Sequence, residues 1–558
     1  MEKIWLKSYG KGVPATLRYH DVPLSDMLTR TASRFPYNPA LHFQGNTITY
    51  DVLDEMVSAF AGGIEAMEIH PGDKVGILLP NIVQVVVAYY GVLRAGGIAV
   101  MLNPLQTDPE LDFQLNDSGV KILVCLDLLV HRMMALRPRT DVKKIVSCHV
   151  RDFLPFLKKQ LFPLVKPALH LNTPKDPNVV EFMDILNANR PPGLKHSPGI
   201  DDTASVMYTG GTTGTSKGVE LTHRNLSYNC QQVRAWFPRF LDGKQTVLGC
   251  LPFFHSFGMT TAMNVSVRYG FSNVLIPKPE AEVILKSVDY YKPSYIPVVP
   301  TLLIRMISHP KLDHYDLTSV KACFSGAAPL ARETIREFEE MTGAKICEGY
   351  GLTEASPIVT LNPYSERAKP GTVGIPLPDT EVKLVSVHDH TWEITECGER
   401  GEVCIRGPQV MKGYLNRPEE TKAAIPDGWL LTGDIGVMDE EGFLSIVDRK
   451  KDIIISGGFN VYPRDVDEVL YSHPKVIEAC TIGVPSPDLG ETITAYVVLK
   501  QGRNATVEEI IRFCRSNLAP YKIPSQVMFV SDLPKSPVGK ILRKEVRRLD
   551  QVAAGKHA

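Results

Sequence analysis

The run KVGILLPNIVQVVVAYYGVLRAGGIAVML, residues 74–102, constrains the fold more than any other stretch of the chain. Its opening, Lys74–Pro80, is a short apolar run of the kind a strand buried on both faces requires. Asn81 is placed to cap the helix that follows, and Gly96 with Gly97 to end it. Ile98–Leu102 then reads as the next strand, which makes the stretch one βαβ unit. The alternation returns in TVLGCLPFFH followed by SNVLIPK, in SYIPVVP before TLLIRMI, and in VKACFSG before ARETIREFEEMTG. The expected class is α/β, with open, mostly parallel sheets flanked by helices.

Past about residue 375 the texture changes. TEVKLVSV, GEVCIRG and GFLSIVDR follow one another closely, as in a β-rich subdomain over about 375–448. After DRKKD, residues 449–558 carry their own strand and helix signals, EACTIGVP, ITAYVVLK and VEEIIRFCRSNL, as a small α+β domain does. A chain of 558 residues is too long for one core. The expected division is therefore 1–448 and a smaller 449–558.

Composition excludes several classes. Lysine plus arginine number 61 against 62 acids, so no global charge points to nucleic acid. The ten cysteines include no C-x-x-C pair and none sits at metal-ligand spacing from a histidine, which leaves scattered, reduced core thiols. No signal-peptide-like segment opens the chain, and no run of about 18 apolar residues could span a membrane. The cytoplasm is the default. One segment is skewed: residues 131–166 hold nine lysines and arginines against Asp141 and Asp152, and FLPFLKKQLFPLVK mixes aromatic and aliphatic residues with lysine. It fits either transient contact with the inner face of a membrane or a surface helix with solvated lysines, and two prolines limit any long amphipathic helix.

The stretch YTGGTTGTSKG, Tyr208–Gly218, has the chemistry of a phosphate cradle. Gly210, Gly211, Gly214 and Gly218 let backbone approach a ligand, successive N–H groups make an anion nest, and Thr209, Thr212, Thr213 and Thr215 add hydroxyls. It is not the common G-x-x-x-x-G-K-[ST] loop, because Lys217 is followed by Gly218. EGYGLTE (Glu348–Glu354) and SGAAP (Ser325–Pro329) both read as following strands, at the edge where open α/β sheets bind ligands. LTGDIG puts Asp434 in a glycine turn, and SPVGK ends on Lys540.

Seven segments in order, YTGGTTGTSKGVELTHRN, LPFFHSFG, SGAAP, EGYGLTE, GWLLTGDIG, DRKKDIIISGGFNVYP and PKSPVGKILRKEVR, resemble the adenylate-forming superfamily of acyl-CoA synthetases, adenylation domains and luciferases over nearly the whole chain. FQGNTITYDVLDE and LNPLQTDPELDFQLNDSG further resemble bacterial long-chain fatty acid–CoA ligases. The resemblance implies ATP, Mg²⁺ and coenzyme A. It assigns the Thr209–Gly218 loop to the β- and γ-phosphates, with Lys217 ordering the loop or touching pyrophosphate. It gives Thr209 and Glu354 to the metal. Gly349, Tyr350 and Gly351 go to the nucleotide, with Tyr350 on adenine, and Ser325, Gly326 and Ala327 line the cleft. Thr353 goes to the α-phosphate, Asp434 and Arg449 to the ribose side, and His255, Phe257, Val299 and Gly326 to the acyl pocket, with His255 also near the α-phosphate and counted with Thr353 and Glu354 among the catalytic residues. Lys540 is implied as the lysine of the first half-reaction. Ser456, Gly457 and Gly458 are implied along coenzyme A, and Lys451 as the hinge of a mobile C-terminal domain.

The implied reaction is attack of a carboxylate on the α-phosphorus of ATP, with loss of pyrophosphate, then attack of a thiol on the acyl carbon with loss of AMP. A long-chain acid is the first reading, and a medium-chain or aryl acid the alternative. An amino-acid adenylation module, a luciferase-like oxygenase, and a non-catalytic lipid-binding or membrane-adaptor protein are the rivals. Oligomeric state is open, with a homodimer one option.

Overall fold

The strand Lys74–Leu78, buried on both faces, lies inside a mostly parallel sheet. In this computed structural model the described residues are 3–165, 171, 173–193, 198–209, 216–328, 330–387, 393–394, 396–486, 488–536 and 541–555. By packing they fall into two units, Met1–Glu381 with Ile405–Leu430, and Val382–Cys404 with Leu431–Ala558.

The first unit holds two large sheets. Among the described residues, one runs Gly413–Tyr414, Lys217–Thr222, Thr203–Thr209, Ile98–Met101, Lys74–Leu78, Val120–Leu126, Lys144–Cys148 and Val179–Glu181. Six of these strands run parallel through five pairings, and Lys217–Thr222 turns back antiparallel on Thr203–Thr209. The other has at its centre the parallel strands Ser272–Leu275, Thr246–Gly249, Tyr295–Val298, Ala322–Ser325 and Lys345–Gly351. The α/β expectation is met. The helix Val83–Arg94 is buried along Val83–Leu93, as a helix apolar all round must be. Each such large side chain removed from water contributes about 1.5–3 kcal/mol.

Asn81 does not cap that helix. Ile82 occupies the cap position, and the Asn81 amide donates to the carbonyls of Gly249 (3.0 Å) and Leu251 (2.7 Å) while its oxygen accepts from the Phe253 N–H (2.9 Å). Two buried carbonyls and an N–H in an irregular turn need partners, and a buried amide serves both kinds.

The second unit holds a five-stranded sheet built around Gly401–Arg406, Leu430–Met438 and Leu444–Arg449, and a further sheet in which Val476–Ser486 pairs antiparallel with Gly490–Leu499. Helices Pro463–Tyr471 and Val507–Asn517 bury Val466, Leu470, Ile510 and Cys514 in the second of these cores. Arg543 reaches both Asp448 (3.5 Å) and Asp467, and Arg547 reaches Asp452 at 2.9 Å. Nine cysteines are buried and Cys397 is exposed. Among the described residues no helix is long and apolar enough to cross a membrane.

Candidate active site

The glycine- and threonine-rich loop joins two antiparallel strands whose ends are in register, Thr209 opposite Lys217 and Tyr208 opposite Gly218. Gly210, Gly211, Thr212, Thr213, Gly214 and Thr215 lie outside the described residues. Their two anchors are well held. Tyr208 donates to Asp117 at 2.8 Å, and Lys217 pairs with Glu420 and lies 4.9 Å from the centre of the Tyr414 ring. Gly218 is tightly packed, since a Cβ there would sit 3.1 Å from Val206 and 3.3 Å from Leu415.

Tyr414 links this loop to the EGYGLTE motif. Its hydroxyl donates to Glu354 at 3.1 Å. Burial, with the Glu354 carboxylate beside it, raises the Tyr414 phenol far above its usual range, so it stays a donor. The Glu354 backbone is fixed by Met411, whose N–H donates to its carbonyl at 2.8 Å. Behind these loops, the helix His223–Trp236 starts with a reciprocal cap between Thr222 and Asn225. It then points buried amides outward: Asn225 to the carbonyls of Pro408 and Val410, and Asn229 to both N–H and C=O of Ile358. Sequence patterning missed Asn81, Asn225, Asn229 and Tyr414 as supports of this region. The only available signal was polar residues at positions that periodicity assigns to the core.

Glu348–Gly351 does not follow its strand but continues it. Lys345–Gly351 is one strand, parallel to Ala322–Ser325 through Glu348 and antiparallel to Ile358–Leu361 from Gly349. Gly349 and Gly351 are required by close approach, since a Cβ would come within 2.5 Å of Phe324 and 2.0 Å of the Pro357 carbonyl oxygen respectively. Tyr350, between them, is half-buried. Thr353 shares a hydrogen bond of 3.2 Å with Ser256, next to His255. His255 Nδ1 accepts from the Phe257 N–H at 3.3 Å, which leaves the proton of the neutral ring on Nε2. A π-helical turn, Met259–Asn264, follows directly, a geometry frequent beside functional sites.

Of the residues expected at an acyl pocket, Phe257 and Gly326 meet. Phe257 packs edge-on against Phe324 with centroids 5.0 Å apart, and a Cβ on Gly326 would lie 3.3 Å from Phe257. Val299, buried, follows the strand Tyr295–Val298 that pairs with Ala322–Ser325. Ser325 is buried and its hydroxyl has no hydrogen-bond partner among the described residues, which native folds tolerate where a ligand or water supplies one. Ala327 takes a left-handed backbone (φ 70°), a strain often kept at ligand sites.

The second unit holds the remaining assignments. Asp434 lies not in a turn but within the strand Leu430–Met438, opposite Arg449, whose Nε is 3.1 Å from Asp434 Oδ1. The positive φ (71°) at Gly433 bends the strand without ending it, and the Gly433 N–H is held by Glu402 at 3.0 Å. Lys451 lies in the short turn Lys450–Asp452. Ser456 pairs with Phe459 across Gly457 (φ 56°) and Gly458 (φ 82°), a tight hairpin that needs glycine at both central positions. Lys540 lies outside the described residues; Lys535 and Ile541 on either side of it form an antiparallel bridge.

Comparison with known proteins fits this arrangement. The model of the AMP-binding enzyme family matches residues 28–415, and that of the AMP-binding enzyme C-terminal domain matches 465–540. The long-chain-fatty-acid–CoA ligase of Bacillus subtilis (strain 168) is 44% identical over 550 residues, 98% of each chain. ATP-bound MatB from Rhodopseudomonas palustris superposes with a TM-score of 0.82 at 29% identity, covering 94% of this chain and 98% of its own. The o-succinylbenzoate CoA synthetase MenE of Bacillus subtilis, with ATP and magnesium, gives 0.77 at 28% identity, covering 94% and 99%. With both of its parts matched in order, this chain is an enzyme that belongs to the AMP-binding, adenylate-forming family.

Proposed function

We propose that the protein is a fatty acid–CoA ligase acting on long-chain acids. The observation that carries the reading is the 44% identity, over 98% of both chains, to a relative named for that activity. In the first half-reaction a carboxylate oxygen attacks the α-phosphorus of ATP, the bond from that phosphorus to the α,β-bridging oxygen breaks, and pyrophosphate leaves with the bonding electrons. In the second, the thiol of coenzyme A attacks the acyl carbon, loses its proton, and AMP leaves.

Each assembled residue has a part. The loop between Thr209 and Lys217 holds the departing phosphates through backbone N–H groups. The Tyr350 face stacks on adenine, and Ser325, Gly326 and Ala327 close the cleft floor. Thr353 hydrogen-bonds the α-phosphate, and Asp434 accepts from the ribose hydroxyls beside Arg449. Lys540 supplies positive charge to the two anions that must meet, where negative charge builds. Ser456, Gly457 and Gly458 let the pantetheine arm run close to backbone. Residues 1–448 and 449–558 act as two bodies about Lys451, so that one segment serves each half-reaction.

Magnesium fits the donors present. No group of three or more histidine, cysteine or acidic residues exists among the described residues, so Glu354 would hold the ion together with Thr209 and nucleotide oxygens, the habit of Mg²⁺ at phosphates. When bound it neutralises charge on the phosphates.

The test is AMP release with coenzyme A across acids from acetate to palmitate, plus benzoates. Highest kcat/KM at palmitate supports the reading. A benzoate or octanoate optimum gives the aryl or medium-chain alternative, and no acid-dependent pyrophosphate release returns the protein to a binding role.

A further inference from the structure

The helix Phe156–Val165 inverts the pattern of a surface helix. Leu157, Leu161, Leu164 and Val165 fall at i, i+4, i+7 and i+8, one stripe of a 3.6-residue repeat. In a soluble protein that stripe faces the core. Here the four are 74%, 54%, 79% and 70% exposed, and Phe156 beside them is 73% exposed. Isolated exposed leucines need no explanation, but a continuous apolar stripe marks a surface that is covered in use. The ten residues include only Lys158, Lys159 and Gln160 as polar side chains. The helix is tethered at its root, where Phe153 and Leu154 are buried, Lys159 N–H donates to the Pro155 carbonyl at 2.8 Å, and Lys158 Nζ donates to the Gln44 carbonyl at 2.8 Å.

We propose that this helix docks the enzyme on an anionic phospholipid surface. Charge selects that occupant. From 153 to 175 the sequence has lysines at 158, 159, 166 and 175 and no aspartate or glutamate. Asp152, which precedes this run, is turned to the Gln84 amide and the His149 N–H. The patch extends toward Tyr290, 76% exposed, whose neighbour Tyr291 accepts from the Gly45 N–H at 3.1 Å, one residue from the carbonyl that Lys158 holds. An amphipathic tyrosine beside apolar side chains and flanking lysines is the composition of an interfacial element. At about 15 Å the helix is far too short to span a bilayer, so it lies in the headgroup boundary.

The basic run upstream is not the carrier. Arg132 is bound to Asp108 and the Gln106 carbonyl, Arg137 to the Lys143 carbonyl, and Lys144 to the Pro177 carbonyl. Arg132 and Arg139 are ion-paired with Asp108 and Asp112, and the apolar stripe supplies the attachment.

The experiment is vesicle flotation of the full chain with phosphatidylglycerol–phosphatidylcholine vesicles and with phosphatidylcholine alone, at low and physiological salt. Wild type should float with the anionic vesicles, less at higher salt. Leu157→Glu/Leu161→Glu/Leu164→Glu, all at exposed positions, should weaken binding roughly 100-fold or more. Lys158→Gln/Lys159→Gln should weaken it about tenfold and flatten the salt dependence. Both should keep AMP release on a short, water-soluble acid, which separates failure of docking from failure of the ligase reading. The proposal is overturned if wild type does not float, if the leucine variant floats as well as wild type, or if both vesicle types bind equally. It is also overturned if sedimentation shows the leucine variant dissociating a dimer that never bound vesicles, since the stripe would then cover a second copy.

Discussion

Tyr414 donates its hydroxyl to Glu354 across 3.1 Å, tying the strand Gly413–Tyr414 to the end of the EGYGLTE motif sixty residues earlier in the chain. The bond orients one carboxylate oxygen and leaves the phenol protonated. Glu354→Gln should lower acyl-AMP formation by about 10² and raise the Mg²⁺ concentration for half-maximal rate, because the only carboxylate proposed for the ion is gone. Tyr414→Phe should cost about tenfold, one hydrogen bond to a charged group. Acid-dependent pyrophosphate exchange at varied Mg²⁺ measures both. Equal loss in the two variants would mean Tyr414 does more than orient Glu354.

Gly326 controls room beside Phe257. A Cβ there meets the ring at 3.3 Å, and anything longer enters the space that Gly326 leaves open. Gly326→Leu should shorten the acyl site and shift preference toward shorter acids. Each lost methylene contact is worth up to about 0.8 kcal/mol, so the palmitate-to-octanoate ratio of kcat/KM should fall at least about tenfold. A proportional loss on both acids would refute a chain-length role.

Lys540→Ala should nearly abolish acyl-AMP formation, by about 10²–10³, and leave thioester formation from supplied acyl-AMP substantially intact. The two half-reactions are assayed apart by pyrophosphate exchange and by acyl-CoA release. Equal loss in both would sink the assignment.

Lys451→Pro tests the hinge. Proline fixes φ, so rotation about residue 451 should stop and one half-reaction survive without the other. Wild-type rates in both would place the pivot elsewhere.

His149 links pH to stability away from the candidate site. It follows the strand Lys144–Cys148 and lies 2.9 Å from Asp127, which follows the neighbouring strand Val120–Leu126, and 3.1 Å from Glu181, which ends the strand Val179–Glu181 on the other side. Burial opposes its charge, but the two carboxylates prevail and raise it to about 9. A histidine raised on folding contributes fully below its unfolded value near 6.5 and loses that contribution as pH rises through about 9. The unfolding free energy from urea titrations should therefore fall between those pH values by on the order of 1–2 kcal/mol, and His149→Gln should flatten that slope. An unchanged slope in the variant would remove His149 as the cause.

Local chemistry carried much of this protein. The βαβ pattern of 74–102 fixed the class, because a doubly buried strand and an all-apolar helix leave few other folds. Gly457-Gly458 fixed its hairpin, because both residues need positive φ. The ordered motifs fixed the family. Tertiary structure decided what depends on distant partners. Asn81 looked like a cap until carbonyls 168 and 170 residues away claimed its amide. Gly349–Gly351 looked like a loop until Ile358–Leu361 paired with it, and Asp434 looked like a turn residue until Leu444–Arg449 did the same. The stripe on Phe156–Val165 has core spacing, and only packing shows it facing outward. Sequence spacing sets which side chains share a face, whereas what that face meets depends on the rest of the chain.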